Sequence, residues 1–319
     1  MAITLNANLF LGALSNLICY LDVADVLKLD SLKLNKVCKK RDVKYGDSIL
    51  FRSADIPSVT NMPTTSTLLT AVLPTTKEQV LSVSKYKTVQ LTINDYLMRG
   101  AFDSEYAMSD FVAYLMKTMR ASKEKYIFDE LVALLDGYTP TNAEQTITIN
   151  MFNTTGLLDP AQLQMAETYN TNAFIKALIK AQIKLETPYN KFNDDTFTEI
   201  VSNEDMILFS TDNLETNILV DTFAKLFNSD KISKEFKYGD SVTIPQDLFS
   251  TLTSAFLCYL AHREKFQYGY AFSVATSFFD ASTLNTNNWL HFAYYIGSVN
   301  AYPCIKFEAD YTLTPTALQ

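Results

Sequence analysis

The sequence predicts an α+β fold, and three observations support that prediction. Residues 78–95 alternate apolar and polar side chains, as a half-buried strand does. Residues 103–137 repeat apolar side chains at the helical period of about 3.6 residues. From residue 270 onward, apolar runs are bounded by Asn, Pro and Gly, which is typical of antiparallel strands. We therefore expect strands on both sides of a long helix.

The composition indicates a folded protein with broad contact surfaces. Of the 319 residues, 48% are hydrophobic, so the chain is too apolar for disorder and long enough for one elaborate domain or two interlocked ones. The 21 Phe and 18 Tyr suit protein–protein surfaces as well as cores. A net charge of -8 argues against a general nucleic-acid binder. The sequence has no Gly-rich phosphate motif, which argues against a nucleotide site.

Residues 1–21 contain no charged side chain, which raises the question of a membrane or secretion segment. The positively charged start of a signal peptide is missing, and three asparagines dilute the run below a convincing membrane span. Helical spacing is followed by Leu9, Ala13, then Asn16 or Leu17, and Tyr20. We expect a short helix or arm that docks on protein and not in a membrane.

A basic segment follows, with only Asp30 and Asp42 as acids. We favour a solvated face for it; the alternative is a basic arm that lies on an acidic neighbour or on packaged nucleic acid. Its cations are Lys28, Lys33, Lys36, Lys39, Lys40, Arg41 and Lys44.

The pentapeptide KYGDS occurs twice, at residues 44–48 and 237–241. The flanking sequences show no further similarity, so an internal duplication is not indicated. The motif has no His, carboxylate pair or consecutive glycines, so it is not a ligand loop. Gly permits a positive φ and Asp can bond its own backbone, so we predict a tight turn that enters a strand in both places.

Around the first copy the sequence predicts a long hairpin-like loop. Residues 43–51 read as two strands joined at Gly46-Asp47, and residues 78–95 return as alternating strand. Between them, residues 57–76 are rich in Thr, Ser and Pro, which predicts an exposed connection. Loops of such length usually serve interaction.

The best helix begins at Asp103 or Ser104 and stops at Gly137, before Pro140. It would be about 50 Å long, which is typical of a structural spine. The remaining sequence predicts a strand at 146–152, a helix at 160–185 and a buried strand at 206–210. A helix at 214–228 follows, capped by Asp212 or Asn213. Residues 255–260 are either a strand or the end of a helix begun at Pro245.

The sequence contains few candidates for catalytic or metal-binding residues. The four cysteines, Cys19, Cys38, Cys258 and Cys304, lie far apart and are expected to be free, mostly buried thiols. His262 follows Cys258 by four residues, so the two would share a side of a helix or a strand, but no oxyanion-hole glycines accompany them. We interpret His291 as a strand residue bonded to backbone or facing a neighbour.

Two carboxylate pairs, Asp194-Asp195 and Glu204-Asp205, fit loop or helix-cap roles better than acid–base catalysis, and neither has calcium-loop spacing. We therefore predict no catalytic residue, no cofactor-binding residue and no metal site. An aromatic stripe near the C-terminus predicts core or subunit interface, because no cation for base binding lies nearby. The stripe consists of Trp289, Phe292, Tyr294 and Tyr295.

The order of these parts resembles the major capsid protein of tailed bacteriophages, with the Hong Kong 97 (HK97) type fold. KYGDSILF is similar to the opening of that family's extended E-loop, and residues 104–137 resemble its spine helix. EDMILFSTDNLETNILVDTFAKLFN is similar to the strand and helix of its A-domain, and residues 287–309 resemble its closing strands. The last two stretches are closest to small phi-29-like podophage capsids.

The resemblance implies five regions: an N-terminal arm at 1–40, an E-loop region at 41–102, a P-domain with the spine helix at 103–204, an A-domain at 205–269 and C-terminal P-domain strands at 270–319. It implies a non-enzymatic protein that self-assembles into an icosahedral or prolate shell around double-stranded DNA. Expected partners are copies of itself in pentamers and hexamers, portal and scaffolding proteins, and packaged DNA bound non-specifically. The expected location is the virion capsid, assembled in the host cytoplasm.

Three alternatives stay open on the sequence alone. One is an encapsulin-type nanocompartment shell of the same fold. Another is a phage tail or collar protein, which would form small rings. The last is a soluble hydrolase that uses Cys258 and His262.

Overall fold

The computed structural model describes residues 32–44, 48–57, 59, 73–94, 105–154, 159–188, 191–212, 214, 239–253 and 255–313. The helices in this part of the chain are α1 (Lys33–Val37), α2 (Glu105–Gly137) and α3 (Pro160–Leu185). The strands are β1 (Lys39–Lys40), β2 (Ser48–Ala54), β3 (Thr76–Ser82), β4 (Lys85–Asn94), β5 (Thr146–Phe152), β6 (Met206–Thr211), β7 (Asp240–Ile244), β8 (Phe256–His262), β9 (Phe266–Asp280), β10 (Asn285–Ser298) and β11 (Cys304–Leu313).

The strands form two mixed sheets and one separate hairpin. The five-stranded sheet has the order β5-β11-β8-β6-β7, in which β8 is antiparallel to both neighbours and the two outer pairs are parallel. The four-stranded sheet has the order β1-β9-β10-β4. The hairpin consists of β2 and β3, paired antiparallel from Ser48 opposite Ser82 to Ala54 opposite Thr76.

The five-stranded sheet is an inner layer, covered on both faces. Every residue of β6 is buried, as expected for a strand with no solvent-facing side. One face packs against α3, and the other packs against α2, β9 and β10. The cluster under α3 includes Phe174, Leu178, Ala181, Leu185, Met206, Leu208, Leu260, Ile305 and Phe307.

Helix α2 supports the other side of the molecule. Its 33 residues correspond to about 50 Å. Ile127, Leu131 and Leu135 recur at helical spacing and are at most 1% exposed, so this stripe enters the core. The prediction of a long helix that ends at Gly137 is confirmed.

The segment that follows α1 runs along β9 at close range. Arg41 N donates to Tyr268 O at 2.8 Å and Val43 N donates to Tyr270 O at 2.9 Å. A side chain on Gly269 would place its Cβ 1.7 Å from Arg41 O. Only Gly therefore allows the two backbones to lie this close.

Several element predictions are confirmed. The strand at 146–152, the helix at 160–185 and the strand that begins at Met206 lie where the periodicity placed them. Residues 256–260 belong to strand β8, and among the described residues between Pro245 and β8 the helical conformation is limited to the 3-10 turn Gln246–Leu248. The predicted helix at 214–228 lies almost entirely outside the described residues, as does the arm at 1–21.

Other predictions need correction. Residues 78–95 are not one strand, because β3 ends at Ser82 and β4 begins at Lys85 in a different sheet. The strand predicted at 43–45 does not form over Val43 and Lys44, although Val43 N donates to Tyr270 O of β9. The C-terminal strands are not one antiparallel set, because β11 leaves β9 and β10 and joins β5 in parallel.

Both KYGDS copies lead into strands, β2 at Ser48 and β7 at Asp240, as predicted. The Gly46-Asp47 turn of the first copy lies outside the described residues, whereas in the second copy Gly239 is described and Asp240 is already the first residue of β7. One sheet also joins different predicted regions. Its strands β5 and β11 come from 103–204 and 270–319, and β6, β7 and β8 come from 205–269. Among the described helices, none is both long and apolar enough to cross a membrane.

Candidate assembly surface

The hairpin of β2 and β3 has two different faces. Burial alternates along β2, so Ile49, Phe51 and Ser53 face the body of the protein. Leu50 and Val80 are cross-strand partners on the opposite face. The hairpin is therefore a two-sided element that contributes to a surface as well as to the fold.

One anchor of the inner face is Asp195. Ser53 Oγ donates to Asp195 Oδ2 at 2.7 Å, and Lys77 Nζ donates to the Asp195 carbonyl oxygen at 2.8 Å. Lys77 Nζ also lies 5.3 Å from the ring centre of Phe197. Asp195 is 7% exposed, so these bonds are partly shielded from water.

A second anchor uses the loop after β10. Gln79 Nε2 donates to Ser298 O at 2.8 Å, and Gln79 Oε1 accepts from Asn300 N at 2.7 Å. Just beyond β2, Asp55 Oδ1 accepts from Thr198 N at 3.0 Å, a bond that lowers the pKa of Asp55. The hairpin is thus held mainly by polar contacts, and it contributes no residue to the buried clusters of the described core.

The outer face of the hairpin carries exposed apolar side chains. Leu50 is 45% exposed and Val80 is 57% exposed, and nearby on the chain Ile56 and Leu73 are 57% and 84% exposed. Arg52 Nε and Glu78 Oε1 form an ion pair at 2.8 Å beside them. Clustered exposed apolar groups with polar neighbours indicate a protein-contact surface.

The polar side chains of the loop under the hairpin are hydrogen-bonded within the loop and to the core. Asn193 Nδ2 donates to Phe197 O at 2.8 Å, and Asn193 Oδ1 accepts from Phe197 N at 2.9 Å. Asn193 also donates to Glu199, whose pKa is raised to about 8 because the carboxyl group is buried. Asp194 binds Lys265 and the hydroxyl of Tyr138. The Asp194-Asp195 pair therefore has a loop role, as predicted, and also connects the hairpin to the core.

Much of the basic segment is neutralised within the chain. Lys33 Nζ lies 3.3 Å from Asp240 Oδ1, and Lys39 Nζ lies 3.4 Å from Glu264 Oε1. Arg41 donates to Glu264 Oε2 at 2.7 Å. Burial alone would raise the pKa of Glu264, but the Tyr302 hydroxyl and the cations Arg41 and Lys39 lower it. The segment is therefore only in part the solvated face that its sequence predicts.

The outer side of the four-stranded sheet presents polar groups together with exposed apolar side chains, among them Val274 and Phe278, which are 49% and 61% exposed. His291 Nδ1 shares a hydrogen bond with Thr88 Oγ1 at 2.8 Å, and its Nε2 shares one with Thr276 Oγ1 at 3.2 Å. His291 lies on strand β10, as predicted, and the bonds of its ring go to side chains of the adjacent strands and not to backbone.

Three members of the aromatic stripe pack inward, as predicted for core: Phe292, Tyr294 and Tyr295 are each at most 1% exposed. The fourth, Trp289, is only partly buried and lies on the same face of β10 as His291.

The second carboxylate pair, Glu204-Asp205, occupies the short 3-10 helix Asn203–Asp205, where the Ser202 side chain accepts from Glu204 N. This is the cap-type role that the sequence predicts. Among the described residues, no group of three or more His, Cys, Asp or Glu side chains is arranged to hold a metal ion.

Cys258 and His262 do not form a nucleophile and base. Both lie on β8, where four residues span about 13 Å. The Cys258 side chain is fully buried, and burial raises the pKa of its thiol, which disfavours the reactive thiolate. His262 instead stacks on Tyr302 with 4.7 Å between ring centres.

Sequence reasoning missed the residues that anchor the hairpin and the buried cation Lys265. The anchors Ser53, Lys77 and Gln79 are ordinary polar residues on alternating strands, without a motif. The only usable signal was the Asp194-Asp195 pair, whose partners lie far away along the chain.

A family model described as Phi29-like phage major capsid protein matches residues 8–308 of the chain. No curated protein sequence matches it.

Solved phage capsids share the fold. The capsid structure of Staphylococcus phage Andhra aligns with a TM-score of 0.65 and 10% identity, over 86% of this chain and 84% of that one. The capsid structure of cyanophage P-SCSP1u aligns with a TM-score of 0.53 and 12% identity, over 86% of each chain. The mature capsid of bacteriophage PhiM1 aligns with a TM-score of 0.52 and 9% identity, over 88% and 87%. The predicted α+β, HK97-type fold is confirmed.

Proposed function

The chain belongs to the Phi29-like phage major capsid protein family, and from this premise we propose that its β2–β3 hairpin joins neighbouring subunits in the shell. As a major capsid protein it is a shell-forming structural protein and not an enzyme. It assembles with copies of itself, and its location is the virion capsid. The nanocompartment, tail and hydrolase alternatives are thereby set aside.

The observation that carries the proposal is that the two faces of the hairpin differ: one is bonded to the subunit and the other is exposed. The inner face is fixed to the subunit through Asp195, Ser298 and Asn300. On the outer face, Leu50 and Val80 stay 45% and 57% exposed. A fixed inner face and an exposed apolar outer face fit a contact with a second copy.

The proposal extends to the parts of the shell. We assign the arm to 1–40, the E-loop to 41–102, the P-domain to 103–204 and 270–319, and the A-domain to 205–269. Subunits would form pentamers and hexamers, with one chain making several non-identical contacts. Portal and scaffolding proteins and packaged double-stranded DNA are the proposed further partners, and assembly would occur in the host cytoplasm. A net charge of -8 would keep DNA from adhering to the shell wall.

The test is the double variant Leu50→Ser with Val80→Ser. We expect a folded subunit, since both side chains are exposed, that fails to form shells. Size-exclusion chromatography and negative-stain electron microscopy of wild type and variant, each expressed with the same scaffold candidate, measure assembly. Circular dichroism checks the fold.

The matched control is Leu248→Ser, which removes a side chain of similar exposure, 48%, outside the hairpin. We expect shells from the control. Normal shells from the double variant would contradict the role proposed for the hairpin.

A further inference from the structure

The anchor loop, residues 192–199, connects the hairpin to the rest of the subunit. On one side, Asp195 bonds two residues of the hairpin. On the other side, Asp194 N donates to Asn300 O at 3.0 Å, and the Asp194 carboxylate binds Lys265 in the core. A change in the conformation of this loop would therefore reach the hairpin directly.

One residue of the anchor loop has a strained backbone. Thr196 has a φ of 62°, in the left-handed region that a β-branched residue rarely adopts. The Asn193 side chain holds the loop in this conformation, since it accepts from Phe197 N at 2.9 Å and donates to Phe197 O at 2.8 Å. Asn193 also donates to the carboxyl group of Glu199. Strain of this kind persists only where surrounding contacts impose it, so weaker contacts would let the loop open.

The carboxyl group of Glu199 is neutral near pH 7, mainly because it is buried. Burial raises its pKa to about 8, and the charges of Asp195 and Asp194 in the same loop act in the same direction. Lys265, from the turn between β8 and β9, favours the ionised form, but it is itself bonded to Asp194. From the hairpin, Lys77 Nζ lies 4.0 Å from Asp195 Oδ1.

The residues on either side of Glu199 connect it to water and to the hairpin. Ile200, the next residue, is 64% exposed, so the chain reaches the surface there. Thr198, the residue before, donates its backbone N–H to Asp55 Oδ1 just beyond β2, and the charge of Lys191 also acts on Asp55. An outward movement of Glu199 would therefore disturb the contact between the loop and the hairpin.

We propose that Glu199 is a pH-sensitive switch for the hairpin: its neutral carboxyl group keeps the anchor loop closed, and its ionisation opens the loop and releases the inner face of the hairpin. A further negative charge buried beside Asp194 and Asp195 is costly, and the charge reaches water when the loop opens. The consequence for the shell rests on the function proposed for the hairpin, because a released hairpin cannot hold its outer face toward a neighbouring copy.

The direction of the pH dependence follows from the raised pKa of Glu199. Below about pH 4.5, the ordinary pKa of Glu, the carboxyl group is protonated in the closed and in the open loop, and the closed loop is fully favoured. Between that pH and about 8, only the open loop loses the proton, so the equilibrium constant for opening rises by up to about tenfold per pH unit. Above about 8 the rise levels off.

Hydrogen exchange of unassembled subunits, measured by mass spectrometry, tests the switch. The Glu199→Gln variant keeps a side-chain oxygen for Asn193 but cannot ionise, and circular dichroism checks its fold. We expect amides of β2 and β3 to exchange within about twofold of each other in the two proteins at pH 4, and at least about tenfold faster in wild type at pH 9. Amides of β6, in the core, should stay at least about tenfold better protected than those of the hairpin, because the opening is local.

The matched control is Glu186→Gln, which neutralises an exposed glutamate that also bonds an asparagine, with Asn203 Nδ2 at 2.6 Å. We expect its hairpin to respond to pH as wild type does. Equal hairpin exchange in wild type and Glu199→Gln at pH 9, loss of the pH response in the control, or hairpin protection equal to that of β6 would overturn the switch.

A pH series of wild type gives a second result that does not depend on any variant. The protection factor of the hairpin amides, which divides out the intrinsic pH dependence of exchange, should fall between pH 4 and 8 and level off above. A constant protection factor would overturn the switch. Because exchange is measured before assembly, normal shells from the Leu50→Ser, Val80→Ser variant would contradict the role of the hairpin in the shell and leave this result intact.

Discussion

The Nζ atom of Lys265 lies 2.5 Å from Oδ2 of Asp194, and the two side chains are 0% and 6% exposed. Burial alone would raise the pKa of Asp194, but the positive charge of Lys265 and hydrogen bonds from Gln145 and Tyr138 lower it. Since Asp195 next to it anchors the hairpin, the ion pair links the contact surface to the core.

Lys265→Met should be strongly destabilising. The variant leaves the Asp194 carboxylate buried without its counter-ion, and removing one partner of a buried pair typically costs about 3–5 kcal/mol. Urea unfolding followed by circular dichroism measures the change in the free energy of unfolding. The double variant Lys265→Met with Asp194→Leu removes both charges and should recover part of the loss. A single variant as stable as wild type would show that the pair contributes nothing.

Asp136, near the end of α2, should give the protein a pH-dependent contribution to stability. Its carboxylate accepts from Ser250 N and Oγ, Thr251 N and Leu252 N at 2.7–3.0 Å. Burial would raise the pKa of Asp136, but these bonds outweigh burial and lower it to about 2. The charged form is therefore stabilised in the folded state relative to the unfolded chain.

The direction of the pH dependence of stability follows from the lowered pKa of Asp136. The contribution is fully present above about pH 4, the ordinary pKa of Asp, and is lost as the pH falls through about 2. Asp136→Asn should lower the free energy of unfolding by about 1–2 kcal/mol at pH 7, with a difference that shrinks toward acid. Urea unfolding of both proteins between pH 7 and pH 2.5 measures this. A difference independent of pH would contradict the assignment.

Two glycines should respond in opposite ways to alanine. At Gly269 the new Cβ would lie 1.7 Å from Arg41 O, so Gly269→Ala should displace the segment beside β9 and lower the melting temperature by several degrees. At Gly137 nothing lies within 4 Å, and Ala is the better helix former, so Gly137→Ala should be neutral or stabilising by up to about 1 kcal/mol. Differential scanning calorimetry compares the two. Equal effects would mean that the close approach at Gly269 is not restrictive.

The pattern of apolar residues in the sequence predicts best those elements whose buried residues lie close together along the chain. The period of Ile127, Leu131 and Leu135 places α2 correctly, and the apolar run from Met206 places β6, because both signals come from residues close in sequence. The break between β3 and β4 has no such signal. Ser82 and Lys85 lie on strands that belong to different sheets, and sheet membership depends on partners far along the chain.

The contact surface is predictable only in outline. A strand-rich segment with an exposed connection was visible in the sequence, and the hairpin is there. Its anchors were not visible, since Gln79 bonds the backbone of Ser298 and Asn300, and backbone donors and acceptors are the same whatever the side chain. The burial of Lys265 is equally hidden, because its partner Asp194 is 71 residues away.

The position of β11 also has a consequence for how the subunit is made. This strand lies between β5 and β8, so Phe307 pairs with Ile147 on one side and with Cys258 on the other. Such non-local pairing slows folding, because the loops must close before the contacts form. During synthesis, β5 and β8 keep uncovered edges until residues 304–313 emerge, and such edges promote aggregation. We expect subunit folding to follow translation of β11, so that prematurely terminated chains cannot compete for places in the growing shell.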